Sequence, residues 1–393
     1  FQAYRNMMPT SLSQIIEQIF VAVFALLMSS LMISSHSGKG EEVIQSWGAA
    51  GATMGTGAGV LAALLFMVFV YGINRKTIRR KIRRDRVSVN ESTSQVMKTI
   101  ILIVMPIIFS AFIYNVNGYI NSYMYTDILG KKGMDEAVLQ TLYAEYGYFM
   151  TLINIPLTLA STAPTSMIPE VSAHYAMRDR KGANEKIDRA TWIISIPAAV
   201  GLAVLAGPVT RLIFGETNGV AAQLLIIGGI TIILNGNSNI SNGVLQGIGK
   251  PNIPMIHAAI ALGADVIVMA LLLLLTDLGV YAIVLSMVVY AVVMCLLNER
   301  AMKKYMRHKN PWKKAYLYPL IASIPMGLVA GGVYYGLYFL VPSNFLCLCV
   351  SVVLAVIVYF IVYLLVSKPS KEELTMLPGG RILYRVAGKL NLI

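Results

Sequence analysis

The sequence predicts an all-α integral membrane protein. Three observations carry that prediction. Hydrophobic residues make up 56% of the 393 positions and charged residues only 13%. The apolar residues gather in ten runs, each near the ~20 residues that a membrane-crossing helix needs. The Lys and Arg residues fall on every second connecting loop. A soluble globular protein is about a quarter charged, so a chain this apolar cannot wrap itself in polar surface, and the bilayer is its solvent.

The ten runs are 10–33, 46–71, 94–125, 143–172, 189–213, 220–246, 253–275, 279–298, 315–340 and 345–366. No stretch between them is long enough for a soluble domain. Gly51, Gly55 and Gly59 in the second run repeat every four residues, the spacing of a small-residue face that lets two helices approach closely. Pro106, Pro156, Pro164, Pro169 and Pro197 interrupt other runs. Such residues kink a helix and free carbonyls toward a cavity.

Orientation follows from the loops. Segment 1–9 holds Arg5, and loop 74–86, "NRKTIRRKIRRDR", holds eight basic residues. Loop 175–189 holds five, loop 247–252 holds Lys250, loop 299–314 holds seven, and the tail from 367 holds five. Together these carry 27 of the 32 Lys and Arg. The intervening loops hold only Lys39, Lys131 and Lys132. The positive-inside rule then predicts a multi-pass protein of the cell membrane with both ends of this chain cytoplasmic. The tail "GRILYRVAGKLNLI" spaces Arg381, Arg385 and Lys389 at i, i+4, i+8. That suits an interfacial amphipathic helix on the anionic leaflet as well as a frayed end.

A short repeat suggests the larger plan. Gln2, Arg5 and Pro9 precede one helix as Gln246, Lys250 and Pro254 precede another, with a one-residue gap. Pro in the first helical turn sacrifices no hydrogen bond. Six runs lie between the copies, so both copies share one orientation, the mark of parallel repeats. The second copy follows four helices that begin at 94, and the first follows none. The expectation is a 14-helix protein of two parallel six-helix lobes plus two helices, of which this chain carries ten and lacks the first four. In that scheme 1–73 ends the first lobe and 74–92 is a basic cytoplasmic loop between lobes. Residues 93–300 form the second lobe, 301–366 the two further helices, and 367–393 the cytoplasmic tail.

At this point the residues resemble a known family. "MPTSLSQIIEQ" (8–18), "YNVNGYIN" (114–121), "EYGYFMTLINIPLTLASTAPTSMIPEVSAHYA" (145–176) and "SNGVLQGIGKPNIP" (241–254) resemble the polysaccharide-type flippases of the multidrug/oligosaccharidyl-lipid/polysaccharide (MOP) exporter superfamily. The branch is that of the stage V sporulation protein B-like proteins of Gram-positive bacteria. The resemblance implies two lobes around a central cavity and a cargo such as an undecaprenyl-linked oligosaccharide or peptidoglycan precursor. It also implies alternating access in the bacterial cytoplasmic membrane and a coupling ion, H+ or Na+. Asn121 stands where the family often has an acidic residue, a departure that bears on cation coupling there.

A lipid-linked sugar needs a wet cavity for its head. Polar stripes along a helix signal such a cavity. Asn235, Asn239, Asn242 and Gln246 form one stripe. Asn154, Thr158, Ser161 and Thr165 form a second, and Asn117 and Asn121, with Tyr114 and Tyr125, a third. Amides can bond sugar hydroxyls, and tyrosines can cover sugar faces. Polar contacts between helices, worth roughly 0.6–2 kcal/mol each, are the plainer reading.

Charged groups inside the runs are fewer. Glu17 sits well inside the first run, where a charge adds roughly 2.5–3.5 kcal/mol to the insertion free energy. It fits a cavity lining, a coupling-proton carrier or a partner for a cation elsewhere. Asp265 is a similar case in the second lobe. Arg5, Lys98 and Lys250 are placed to meet a headgroup at the cytoplasmic mouth.

Several classes are excluded. The net charge of +13 belongs to the loops and does not indicate nucleic acid. His36, His174, His257 and His308 are scattered, so no metal site is expected. No nucleophile–base set and no phosphate-binding loop appears, so the expectation is a transporter without a cofactor, whose partners are its lipid-linked substrate and membrane lipids. The alternatives are a cation-coupled multidrug antiporter of the same superfamily and a membrane scaffold whose polar stripes pack on one another.

Overall fold

A computed structural model describes residues 8–84, 92–189, 195–215, 219–308, 313–367 and 388, with backbone only at 11, 159–167, 185–186, 188–189 and 314–315. Every regular element among them is a helix, in the order α1 (Met8–Ser35), α2 (Glu41–Arg84), α3 (Thr93–Lys131), α4 (Glu136–Ala176), α5 (Arg180–Arg189), α6 (Ser195–Val204), α7 (Ala206–Phe214), α8 (Val220–Gly228), α9 (Ile230–Gly247), α10 (Asn252–Leu275), α11 (Tyr281–Met306), α12 (Tyr318–Leu340) and α13 (Asn344–Ser367). A π-helical turn, Lys313–Leu317, leads into α12. The protein is an all-α membrane protein. Among the described residues seven helices are long and apolar enough to cross a bilayer, and nine spans result if two bent pairs count as one span each.

Three differences from the sequence reading have local causes. Run 189–213 is not one helix: α6 and α7 meet at 78°. Leu205 breaks the ladder three residues ahead of Pro208. Proline has no N–H and is tolerated in the first turn of a helix, so a new helix starts at Ala206. Run 220–246 is likewise divided into α8 and α9, bent by 47° at Gly228–Gly229. Run 143–172 lies within the 41-residue α4, which is long enough but is not among the helices apolar enough to span, because Gln140, Glu145, Asn154 and Thr158 dilute its apolar residues. In addition, 74–84, read as loop, continues α2; "NRKTIRRKIRR" has no Pro or Gly and is rich in good helix formers.

The chain divides into two units, Phe1–Ser92 and Thr93–Ile393. In the first, α1 packs along α2. The contact face of α2 is Gly48, Gly51, Gly55 and Gly59, all buried. A Cβ on Gly55 would stand 2.3 Å from Ala25 N, and one on Gly51 2.6 Å from Met28 O. The four-residue glycine spacing thus does pack two backbones together, the arrangement that membrane helices favour because lipid provides little drive to associate them.

In the second unit α10 packs on α3 and α11, α4 on α8 and α9, and α12 on α13 and α6. Tight turns connect successive helices. Gly133 (φ +86°) closes the α3–α4 turn and Gly249 (φ +77°) the α9–α10 turn, a backbone conformation open to glycine at little cost. Asp135 caps α4 by accepting from Ala137 N at 2.9 Å. One core joins Phe149 and Leu152 of α4 to Leu224, Ile232, Met269 and Ile283. Another joins Met326, Ala330 and Tyr334 of α12 to Tyr359 and Tyr363 of α13. Large apolar side chains such as Leu328 and Phe339 remain outward, as a lipid-facing surface requires.

Candidate functional site

The second unit contains a cavity of about 390 Å³, within the range of small-ligand sites. It is walled by α3, α4, α9 and α11. Asn235, Asn239, Asn242 and Gln246 of α9 line it, joined by Asn154 and Thr158 of α4, Tyr114 and Asn115 of α3, and Tyr290 of α11. The i, i+4, i+7, i+11 spacing places the four α9 amides on one helical face. The bend at Gly228–Gly229 separates that polar half-helix from the apolar α8. A Cβ on Gly228 would meet the Phe149 ring at 2.5 Å, so the absent side chain is what lets α4 lie against the break. Glu145, also on α4, accepts from Ala221 N at 2.9 Å and caps α8 inside the protein. The helices that carry the cavity amides are therefore fixed by buried contacts.

No charged side chain is among the described lining residues. Thr158 turns its hydroxyl to Asn154 O at 2.8 Å, so it presents less polarity than its position suggests. Ser161 and Thr165 have side chains outside the described residues. Tyr125 is not at the cavity; it is fully buried in the apolar core.

Asn117 and Asn121 do not line the cavity either. They continue the α3 stripe past Tyr114 into a closed cluster around Asp265, which is 0% exposed. Asn121, Ser286 and Asn117 are the polar side chains facing its carboxylate. Among the described residues, neither oxygen of Asp265 makes a hydrogen bond, and the side-chain oxygens of Asn117 and Asn121 are also unbonded. Tyr290, one turn from Ser286 on α11, meets Tyr114 edge-on at 6.3 Å between ring centres. Both tyrosines line the cavity.

Comparison with known proteins follows the same direction. No family model matches the chain. Stage V sporulation protein B of Bacillus subtilis (strain 168) is 22% identical over 390 residues, covering 98% of this chain and 72% of that protein. Lipid II flippase MurJ of the same organism is 24% identical over 268 residues, 66% of this chain and 48% of that protein. A third homologue from that bacterium, the uncharacterized membrane protein YabM, is 28% identical over 273 residues, 68% of this chain and 48% of its own length. The chain thus matches about half the length of two of the three.

The remaining candidates are not among the described lining residues. Glu17 is in the first unit, half-buried on α1 where its own carbonyl faces Gly59. Among the described residues its carboxylate has no ion pair. Lys98 is exposed near the start of α3. Lys250 is exposed beside the Tyr305 ring, 5.8 Å from its centre. Arg5 and the amphipathic tail lie outside the described residues.

Sequence reasoning missed the residues that connect helices. Asn237 lies off the α9 stripe and donates to Cys295 Sγ (3.0 Å), Tyr316 Oη (3.1 Å) and Glu299 Oε1 (3.3 Å). Asn298 joins His257 to Asn242. No spacing within one helix announces such partners.

Proposed function

We propose that this chain works in a flippase that moves an undecaprenyl-linked oligosaccharide or peptidoglycan precursor across the bacterial cytoplasmic membrane by alternating access, with both ends of the chain cytoplasmic. The observation that supports this most is the cavity lining: six amide side chains and two tyrosines, with no charge among the described residues. Amides donate and accept at once, which suits sugar hydroxyls. A cationic drug would call for carboxylates. The homology to a lipid II flippase points the same way.

Asp265 suits the coupling ion. A buried carboxylate with unengaged oxygens is stable when protonated or paired with a cation. The oxygens of Asn117 and Asn121 beside it are hard ligands of the kind alkali and alkaline-earth cations take. Protonation or Na+ occupancy would neutralise the carboxylate within the closed cluster of α3, α10 and α11.

The reading is tested in cells. The gene for this protein is inactivated together with any paralogues, and lipid-linked cell-wall precursor in the outer leaflet is measured. Loss of outer-leaflet precursor, restored by wild type but not by Asn239→Leu/Asn242→Leu, supports the proposal. Unchanged precursor together with new sensitivity to cationic drugs would replace it with the antiporter.

A further inference from the structure

The cavity wall at Asn242 ends a hydrogen-bonded chain that crosses three helices. His257 Nδ1 on α10 lies 2.7 Å from Asn298 Oδ1 on α11. Asn298 Nδ2 donates to Asn242 Oδ1 on α9 at 2.8 Å. Asn298 is 0% exposed, and a buried amide must engage its polar ends. An amide oxygen only accepts, so the imidazole Nδ1 carries the proton. Each bond then sets the direction of the next: imidazole N–H to amide oxygen, amide N–H to amide oxygen. Asn242 has its oxygen taken, and the group left for the cavity is its NH₂. Bonds in such a chain polarise one another in a low-dielectric interior, which strengthens the terminal donor. The other amides of the stripe differ. Among the described residues no hydrogen bond fixes Asn235, Asn239 or Gln246, and each can turn either end to a hydroxyl.

We propose that His257 and Asn298 are positioning residues that hold Asn242 as a hydrogen-bond donor in the cavity. They thereby select a cargo head bearing acceptor-only oxygens, those of a diphosphate or of an acetamido carbonyl, over a head that offers hydroxyls alone. The proposal rests on the flippase reading above and adds to it the orientation of one cavity group. It also supplies a recognition element for an anionic head in a cavity whose described lining holds no cation.

The test measures binding to the full chain in lipid nanodiscs with three probes: polyprenyl diphosphate–glucose, polyprenyl diphosphate–N-acetylglucosamine and a neutral polyprenyl glucoside. Asn298→Asp is nearly isosteric, but its carboxylate only accepts. Asn242 must then turn its N–H toward position 298 and present its oxygen to the cavity. Binding of the acceptor-bearing probes falls about tenfold, the loss of one buried donor, while the glucoside is unaffected. A fall with both diphosphates places the acceptor on the diphosphate. A fall with the N-acetyl probe alone places it on the carbonyl. His257→Asn keeps an N–H near the Nδ1 position and retains the wild-type preference; His257→Leu loses it, and this pair serves alone if Asn298→Asp does not fold. Equal weakening of all three probes, or none, overturns the relay. Wild type that binds no probe overturns the flippase reading and this proposal together.

Discussion

Gly55→Ala should separate α1 from α2. The added Cβ would stand 2.3 Å from Ala25 N and 2.4 Å from Ala25 Cα, where ordinary contact begins at 3.4 Å. The obstructing atoms are backbone, so no rotamer change relieves them. The two helices must part by about 1 Å or bend, and overpacking of this kind destabilises by about 1–3 kcal/mol. Gly57→Ala is the matched control. It lies two residues away on the same helix with nothing within 4 Å of its Cβ, and the better helix former should stabilise by about 1 kcal/mol. Gly55→Ala gains the same propensity, so the two variants should differ by about 1–3 kcal/mol in the same detergent. Trp47, stacked on His36 at 4.5 Å, reports on this unit if Trp192 and Trp312 are first replaced by Phe. Equilibrium unfolding in mixed micelles followed by its fluorescence gives the comparison. Equal stability of the two alanine variants would refute the packing argument.

Three further outcomes follow from buried or capping groups. Glu145→Ala removes the cap of α8 and leaves the Ala221 N–H unpaired inside the protein, a loss of about 1–3 kcal/mol; Glu145→Gln, which keeps an oxygen, should lose clearly less in the same unfolding assay. Asp265→Asn should abolish the dependence of precursor export on the proton or sodium gradient while leaving the thermal transition near wild type; export that keeps its gradient dependence would remove Asp265 from coupling. Asp179 at the α4–α5 turn accepts from Gly182 N and from His174 Nδ1, both at 2.9 Å, and the Gly182 bond, followed by the His174 bond, lowers its carboxyl below the usual 3.8. Its folded value is depressed, so its stabilisation is present above the ordinary carboxylate range and is lost only as pH falls through the lowered value. The protection of the Gly182 amide, its exchange rate relative to that of an unstructured peptide at the same pH, should hold at pH 5 and fall in stronger acid, and a loss of protection between pH 5 and 7 would contradict this.

Much of the architecture was legible because a bilayer imposes a length and a composition on every span. The α9 stripe was legible for a related reason: residues on one helix share a face by arithmetic, and the structure turns that face to the cavity. The glycine seam of α2 could be read in the same way. The breaks could not. "LIIGGITII" is an apolar run in any hydropathy reading, and only Phe149 from another helix shows why glycine is needed there. Asn117 and Asn121 share the α3 stripe with Tyr114, yet where a cavity ends along a stripe depends on neighbouring helices. Asp265 stood out as a charge, but its companions come from α3 and α11. Asn298 and His257 gave no signal, since their meaning arises only when α9, α10 and α11 lie side by side.

The broken helices also constrain how the chain enters a membrane. With 10 and 9 residues, α6 and α7 each reach about 15 Å at 1.5 Å per residue, half of the roughly 30 Å hydrocarbon core. Neither half can be released into lipid alone, because the break would expose unpaired carbonyls and amides to hydrocarbon. The same holds for the 9-residue α8 ahead of its bend. Biogenesis must therefore shelter α6–α9 until α4, made before them, and α11, α12 and α13, made after them, are in place. The residues that line the cavity are thus among the last to reach their final depth, although they are made before the helices that complete their walls.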